Sequence, residues 1–482
     1  MEDRTLGRCL TEYAGGGYYP YHMPGHKRRG AQGGSFSEAL AASMRYDITE
    51  IDGFDNLHEP EGILLEAQER AAALYGADDC FYSVNGSTAG ILTAVSAAVP
   101  EGGKLIMARN CHKAVYHSVY LRHLEPVYLY PGTVGDTELA APVTAAQVEE
   151  ALEQNPDAKA VLIVSPTYDG VVADVAGIAK AVHRRGVPLI VDAAHGAHFG
   201  LHPGFPESPV RLGADLTVVS LHKTMPCPTQ TALLLCCGSR VAKERLRLFE
   251  GIYQTSSPSY LLMAAMDECV SAVRRTGVAL WDAFFRERAA FLEQCSGLSG
   301  LRILTDGTFE LGKTGEQLKF LMDPGKILIE TSKTCLTGKQ FYDILLEQYH
   351  LQMEMAAGNY VTAIMTCCDS KEGWQRLAEA LVSIDRSVAG SVPGHESRLR
   401  EYPFLEKAVS LTEALDAPKE KASLEEAEGK ISGGFVNLYP PGIPVVVPGE
   451  RISREAARLI MRYRQQNLPL QGAEEGAITI LK

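Results

Sequence analysis

The sequence predicts an α/β domain built on a mostly parallel sheet, followed by a smaller α+β C-terminal domain. Three observations carry the prediction. Between about residues 78 and 237, short apolar runs alternate with stretches of helical period, the pattern of strand–helix–strand units. The runs at 216–220 and 231–237 follow each other too closely for a crossover helix, so a tight loop joins them and the sheet reads as mixed. After about residue 238 the chain becomes more helical and more charged.

Taken in order, the strands fall at 80–84, 104–108, 126–130, 160–164, 188–192, 216–220 and 232–237. Helices fall between several of them, at 88–99, 114–123, 145–154 and 175–185. The C-terminal domain contributes a strand at 327–330, a helix at 339–349 after Leu336-Thr337-Gly338, and a strand at 359–366. From 388 to 429, Glu, Lys and Ala dominate, and the segment reads as surface helices and loops. The division expected is an N-terminal arm at 1–45, a large domain at 46–295 and a C-terminal domain at 296–482. No internal repeat or low-complexity tract stands out.

Composition narrows the function classes. A chain of 482 residues with 46% hydrophobic content suits a globular protein of two or three domains. Its polar first residues lead into no apolar segment, and polar residues interrupt every apolar stretch well before the ~20 residues that span a bilayer. Neither a secretory signal nor a membrane segment is expected, and cytoplasm is the default address. The eleven cysteines include no Cys-x-x-Cys pair, and buried thiols in a reducing compartment are expected. The doublets Cys236-Cys237 and Cys367-Cys368 end strand-like runs, where neighbours point to opposite faces. A net charge of −13 argues against nucleic-acid or anionic-membrane partners and is mildly suggestive of cationic substrates.

Ligands in open α/β sheets bind beyond the carboxyl ends of the strands, so the residues there are the candidates. Gly86, Ser87 and Thr88 open a helix and offer backbone N–H groups and hydroxyls to a phosphate, although helix capping alone explains such residues too. His112 follows the second strand and could lie flat against a ring, or be an ordinary core or surface histidine. Asp192 closes the fifth strand, where a carboxylate can pair with a protonated pyridine nitrogen. His195 and His198 complete an Asp-x-x-His-x-x-His spacing that could hold zinc. No metal is expected, because Lys223 and the phosphate-type turn would have no role in such a site. Lys223 follows the sixth strand, 31 residues after Asp192, beside Ser220 and His222. An amine placed there, with its charge suppressed by its surroundings, suits reaction with an aldehyde.

At these residues the sequence resembles the bacterial ornithine/lysine/arginine decarboxylases of the aspartate-aminotransferase (type I) pyridoxal phosphate (PLP) fold. The blocks that carry the resemblance begin with His22-Met23-Pro24-Gly25-His26-Lys27 and Leu57-His58-Glu59-Pro60-Glu61-Gly62. They continue through Val84 to Gly90, Arg109-Asn110-Cys111-His112-Lys113, Ser165-Pro166-Thr167-Tyr168 and Asp192 to Gly200. Ser220-Leu221-His222-Lys223-Thr224 and Tyr439-Pro440-Pro441-Gly442-Ile443-Pro444 complete them. The resemblance implies that Lys223 binds PLP covalently, Asp192 contacts the pyridine nitrogen and His112 stacks on the ring. It implies phosphate contacts from Ser87, Thr88, Ser220 and His222, with His195 on the O3′ side. The length matches the shorter branch of the family, without an N-terminal receiver-like domain. In Thr224-Met225-Pro226-Cys227-Pro228 the sequence departs from the plainer loop expected beside the lysine.

The implied reaction removes the α-carboxylate of a basic amino acid, and Lys223 or a nearby histidine returns a proton to Cα. Arginine, which would give agmatine, is the substrate the resemblance favours; lysine and ornithine are the alternatives, and each product is a polyamine or its precursor. Glu50, Asp52, Asp55, Glu59 and Glu61 crowd five carboxylates into twelve residues, either a cation-binding feature or a solvated loop. Glu354 is a second candidate for the substrate's cation. The segments around His26 and Glu59 are expected to cross the interface of a homodimer, or of a higher oligomer. A PLP aminotransferase or lyase, and a non-catalytic PLP-binding regulator, are the rival readings. No arginine motif of the kind that grips an α-carboxylate stands out in the C-terminal domain.

Overall fold

The computed structural model describes residues 4–28, 38–134, 137, 139–311, 317–390, 403–438, 442–473 and 476–482. The motif residues Tyr439, Pro440 and Pro441 lie outside them. Eight strands precede residue 240: β1 (Asp79–Ser83), β2 (Lys104–Ala108), β3 (Glu125–Leu129), β4 (Ala160–Val164), β5 (Val171–Val172), β6 (Leu189–Asp192), β7 (Leu216–Ser220) and β8 (Ala232–Cys236). All but β5 line up in the order β1-β8-β7-β6-β4-β2-β3. Pairing is parallel for β2 with β3 and β4, and for β6 with β7, whereas β8 runs antiparallel to both β1 and β7. The mixed sheet is therefore present, with β8 as its reversed strand.

The chain divides into two compact units, Met1–Ala98 with Pro188–Asp282, and Val99–Val187 with Ala283–Lys482. In the first unit every residue of β6, β7 and β8 is buried, which explains their uninterrupted apolar runs. Helix Gly86–Ala98 packs on β7 closely enough that a Cβ at Gly90 would come within 3.1 Å of Val218, so glycine permits the approach. The β7–β8 connection differs from the tight loop expected, because it contains one helical turn, Leu221–Thr224. Pro226 and Pro228, which cannot continue a helix, follow that turn at once.

In the second unit, Lys326–Glu330 and Tyr360–Ile364 pair antiparallel in a four-stranded sheet, and β5 pairs with Gln317–Met322. The segment expected to be helix and loop contains a strand as well: Lys419–Ser423 pairs antiparallel with Ala477–Leu481. Cys367 and Cys368 do not occupy a strand. The strand ends at Ile364, and the Thr366–Asp369 turn brings the two sulfurs to 4.0 Å. Six of the eleven cysteines are buried, and none forms a disulfide. No helix among the described residues is long and apolar enough to cross a membrane.

Candidate active site

The ends of β6 and β7 place the central groups. The Ala193 N–H donates to Val218 O at 2.9 Å and the Ser220 N–H to Ala194 O at 3.3 Å, so the loop after β6 lies against the end of β7. The helical turn that follows is fixed from the residue before β8, since Thr231 O accepts from the Leu221 N–H and from His222 Nδ1–H, both at 3.1 Å. Lys223, on that turn, is half-buried and its Nζ stands 3.1 Å from Nε2 of buried His195. His198 packs in an aromatic cluster, 4.5 Å between ring centres from Phe205 and 6.0 Å from Trp281.

Asp192 ends β6 and is 5% exposed. Burial pushes its carboxyl above the ordinary range, while the Lys223 charge and an N–H from Ala194 at 3.1 Å draw it part of the way back. Ser220 is fully buried, and its hydroxyl has no hydrogen-bond partner among the described residues. Burial, reinforced by the neighbouring Lys223 charge, holds His222 below its ordinary value although the Thr231 carbonyl favours its charged form. With Nδ1–H committed to Thr231, neutral His222 offers only a lone pair at Nε2, and it donates from there once protonated. The helix after β1 begins at Gly86, whose φ of 75° is the left-handed conformation that glycine adopts without strain. Ser87 is half-buried and Thr88 exposed.

Other candidates have more specific local duties. His112 is the N-cap of helix Lys113–Leu121, with Nδ1 accepting from the Ala114 N–H at 3.2 Å. His26 Nε2–H donates to Asp47 at 3.1 Å, and Nδ1 accepts from the Arg28 N–H at 3.0 Å. Of the five clustered carboxylates, Asp55 belongs to the loop itself. Burial raises its carboxyl, but N–H donors from Asn56, Glu61, Gly62 and Leu64 outweigh that and hold it below its ordinary value. Glu59 is exposed. In the second unit, Tyr168, just past β4, donates its hydroxyl to Glu354, so two separately chosen sequence features meet.

Arg109, part of a motif that is otherwise silent about partners, is fully buried and ion-paired with Glu450 at 3.0 Å. It also donates to Pro444 O at 2.7 Å and to the Tyr116 hydroxyl at 3.1 Å. Burial opposes the guanidinium charge most strongly, yet Glu450 together with Tyr116, Tyr128 and Tyr130 outweighs it and holds the pKa above its ordinary value. Sequence reasoning missed Glu450, since a lone glutamate 341 residues away carries no local signal.

These residues fit PLP on their own geometry. The buried Asp192 carboxyl has the polarity that a protonated pyridine nitrogen satisfies, and the unpartnered Ser220 hydroxyl suits a phosphate oxygen. Among these residues, Lys223 carries the amine, which suits covalent attachment to the aldehyde.

The comparisons point the same way. The family model described as "Orn/Lys/Arg decarboxylase, major domain" matches residues 5–307, and its "C-terminal domain" matches 401–468. An arginine decarboxylase of Bacillus subtilis (strain 168) is 30% identical over all of this chain and 98% of its own. A lysine decarboxylase of Pseudomonas aeruginosa is 22% identical over 95% of this chain and 75% of its own. Among solved structures, the Francisella novicida lysine decarboxylase LdcF superposes with a TM-score of 0.83 at 18% identity, over 99% of this chain and 81% of that one.

Proposed function

Because the chain belongs to the Orn/Lys/Arg decarboxylase family, and so is a PLP-dependent amino-acid decarboxylase, we propose that it converts L-arginine to agmatine and carbon dioxide. The observation that carries the reading is the Lys223–His195 contact, with the Asp192 carboxyl at the neighbouring strand end. The choice of arginine rests on 30% identity to an arginine decarboxylase along the whole chain, against 22% to a lysine decarboxylase.

Lys223 would hold the cofactor through Nζ, with Asp192 at the pyridine nitrogen and His112 on the ring face. The phosphate would be held by Gly86, Ser87, Thr88 and Ser220, and by His222 in its protonated form. When bound, PLP supplies an electron sink for the pair left as carbon dioxide departs. An amine attacks a carbon only with its lone pair free and leaves one more readily once protonated, so Lys223 needs a partner that takes a proton and returns it. His195 Nε2, 3.1 Å away, accepts the hydrogen bond from Nζ and can take and return that proton. Buried Asp192 keeps a proton at the pyridine nitrogen once that cation compensates its charge.

For the substrate's guanidinium, Glu354 is the first candidate, its carboxylate oriented by Tyr168; Glu59 and the His26–Asp47 pair are the others. The same reading includes an arm at 1–45, a PLP-binding domain at 46–295 and a C-terminal domain at 296–482. It also includes a cytoplasmic homodimer, or higher oligomer, with active sites at its interface, and a place in polyamine formation. The test is to offer the PLP-loaded protein arginine, lysine and ornithine separately and resolve the products by mass. Agmatine is expected; cadaverine or putrescine reassigns the substrate. A keto acid indicates an aminotransferase, and no turnover indicates a non-catalytic PLP-binding protein.

A further inference from the structure

Between the end of β1 at Ser83 and the helix start at Gly86, the backbone is held by side chains. The Val84 N–H donates to Gln254 Oε1 at 2.7 Å, and Val84 O accepts from Gln230 Nε2 at 2.6 Å. Asn85 Nδ2 donates to Tyr253 O at 3.0 Å. Both N–H donors of Gln254 are used, because its Nε2 donates to Tyr82 O at 2.9 Å and to Glu250 Oε1 at 2.6 Å. The second oxygen of Glu250 is hydrogen-bonded to the Thr93 hydroxyl at 3.1 Å, on the helix that the turn opens. One buried acid–amide pair thus grips the strand side of the turn through Val84 and the helix side through Thr93.

We propose that Glu250 and Gln254 are positioning residues that set the Val84 peptide, and with it the Gly86–Thr88 turn that receives the cofactor phosphate. The inference rests on the phosphate role given to that turn above. The orientation of the amide is forced: turned over, its NH2 group would oppose the Val84 N–H and its oxygen would oppose Tyr82 O. Glu250 reinforces this choice, since it accepts from the same NH2. Glu250 is 7% exposed and neither of its hydrogen-bond partners is charged. Burial pushes its carboxyl up to about 8, so near pH 7 it is a neutral acid that glutamine can imitate.

The full chain, stripped of cofactor, is titrated with PLP and separately with pyridoxal, which lacks the phosphate, following the absorbance of each bound form. Gln254→Ala and Glu250→Ala are expected to raise the PLP Kd about tenfold or more while leaving the pyridoxal Kd unchanged. Glu250→Gln, which keeps a neutral acceptor, is expected to restore PLP affinity. Gln254→Met, which keeps the side-chain volume, carries the test if alanine unfolds the protein. Unchanged PLP affinity in the variants overturns the proposal, and so does an equal loss of both ligands, which marks a general loosening. If the unaltered protein binds PLP and pyridoxal equally, the phosphate reading of the turn falls together with this one. If it discriminates while the variants behave like it, only the positioning role falls.

Discussion

Lys223 Nζ and His195 Nε2 stand 3.1 Å apart, on the turns that follow β7 and β6. In the proposed reaction Lys223 forms and breaks a bond to the cofactor's aldehyde carbon, and His195 is proposed as the partner that takes and returns its proton. His195→Phe is expected to lower kcat by about a hundredfold or more, while PLP still attaches to Lys223. Steady-state rates with arginine, measured beside the visible absorption of bound PLP, check this. An unaltered kcat would exclude His195 from the proton transfers.

The Arg109–Glu450 pair ties the segment after β2 to residues near the C-terminus. Breaking a buried pair from one side strands a charge, at a cost of about 3–5 kcal/mol. Glu450→Ala is therefore expected to lower the urea midpoint and expose the 403–468 region to protease. Wild-type resistance in that variant would show that the tyrosines around Arg109 satisfy it without Glu450.

Glu250 sets a slope in stability with pH. Unfolded, its carboxyl ionises near 4.5; folded, it keeps its proton to about 8. Between those values the folded state binds the extra proton, so the Glu250 contribution falls as pH rises from about 4.5 to about 8 and levels off above. Urea unfolding from pH 5 to 9 is expected to show a flatter profile for Glu250→Gln than for the unaltered chain. Parallel profiles would mean that Glu250 ionises normally.

Glu354, oriented by the Tyr168 hydroxyl, is the group proposed to meet the guanidinium. Glu354→Ala is expected to raise KM for arginine by about tenfold or more with a smaller change in kcat, and Tyr168→Phe to follow more weakly. Equal KM values would move the role to Glu59, whose alanine variant is the comparison.

Much of this architecture is legible in the chain because its strands are buried on both faces. The runs at 104–108, 160–164 and 216–220 need no periodicity to be seen. Lys419–Ser423 is different: only Ala422 is buried, and Lys-Glu-Lys-Ala-Ser has no apolar alternation to reveal the pairing with Ala477–Leu481. The site is legible to the extent that topology gathers strand ends, which is how Asp192, His195 and Lys223 come together. Partnerships that depend on distant side chains are not. Nothing local tells Asp55 from the four carboxylates near it, or couples Gln254 to a peptide 170 residues away.

Lys223 is the lysine proposed to hold the cofactor. Borohydride reduction of the PLP-loaded chain, followed by peptide mass spectrometry, fixes the cofactor wherever it is attached. The expected result is a pyridoxyl mass on the peptide containing Ser220-Leu221-His222-Lys223, and its loss in Lys223→Ala together with the visible absorption. A label on any other lysine, or an unchanged visible band in Lys223→Ala, would assign the cofactor to a different residue.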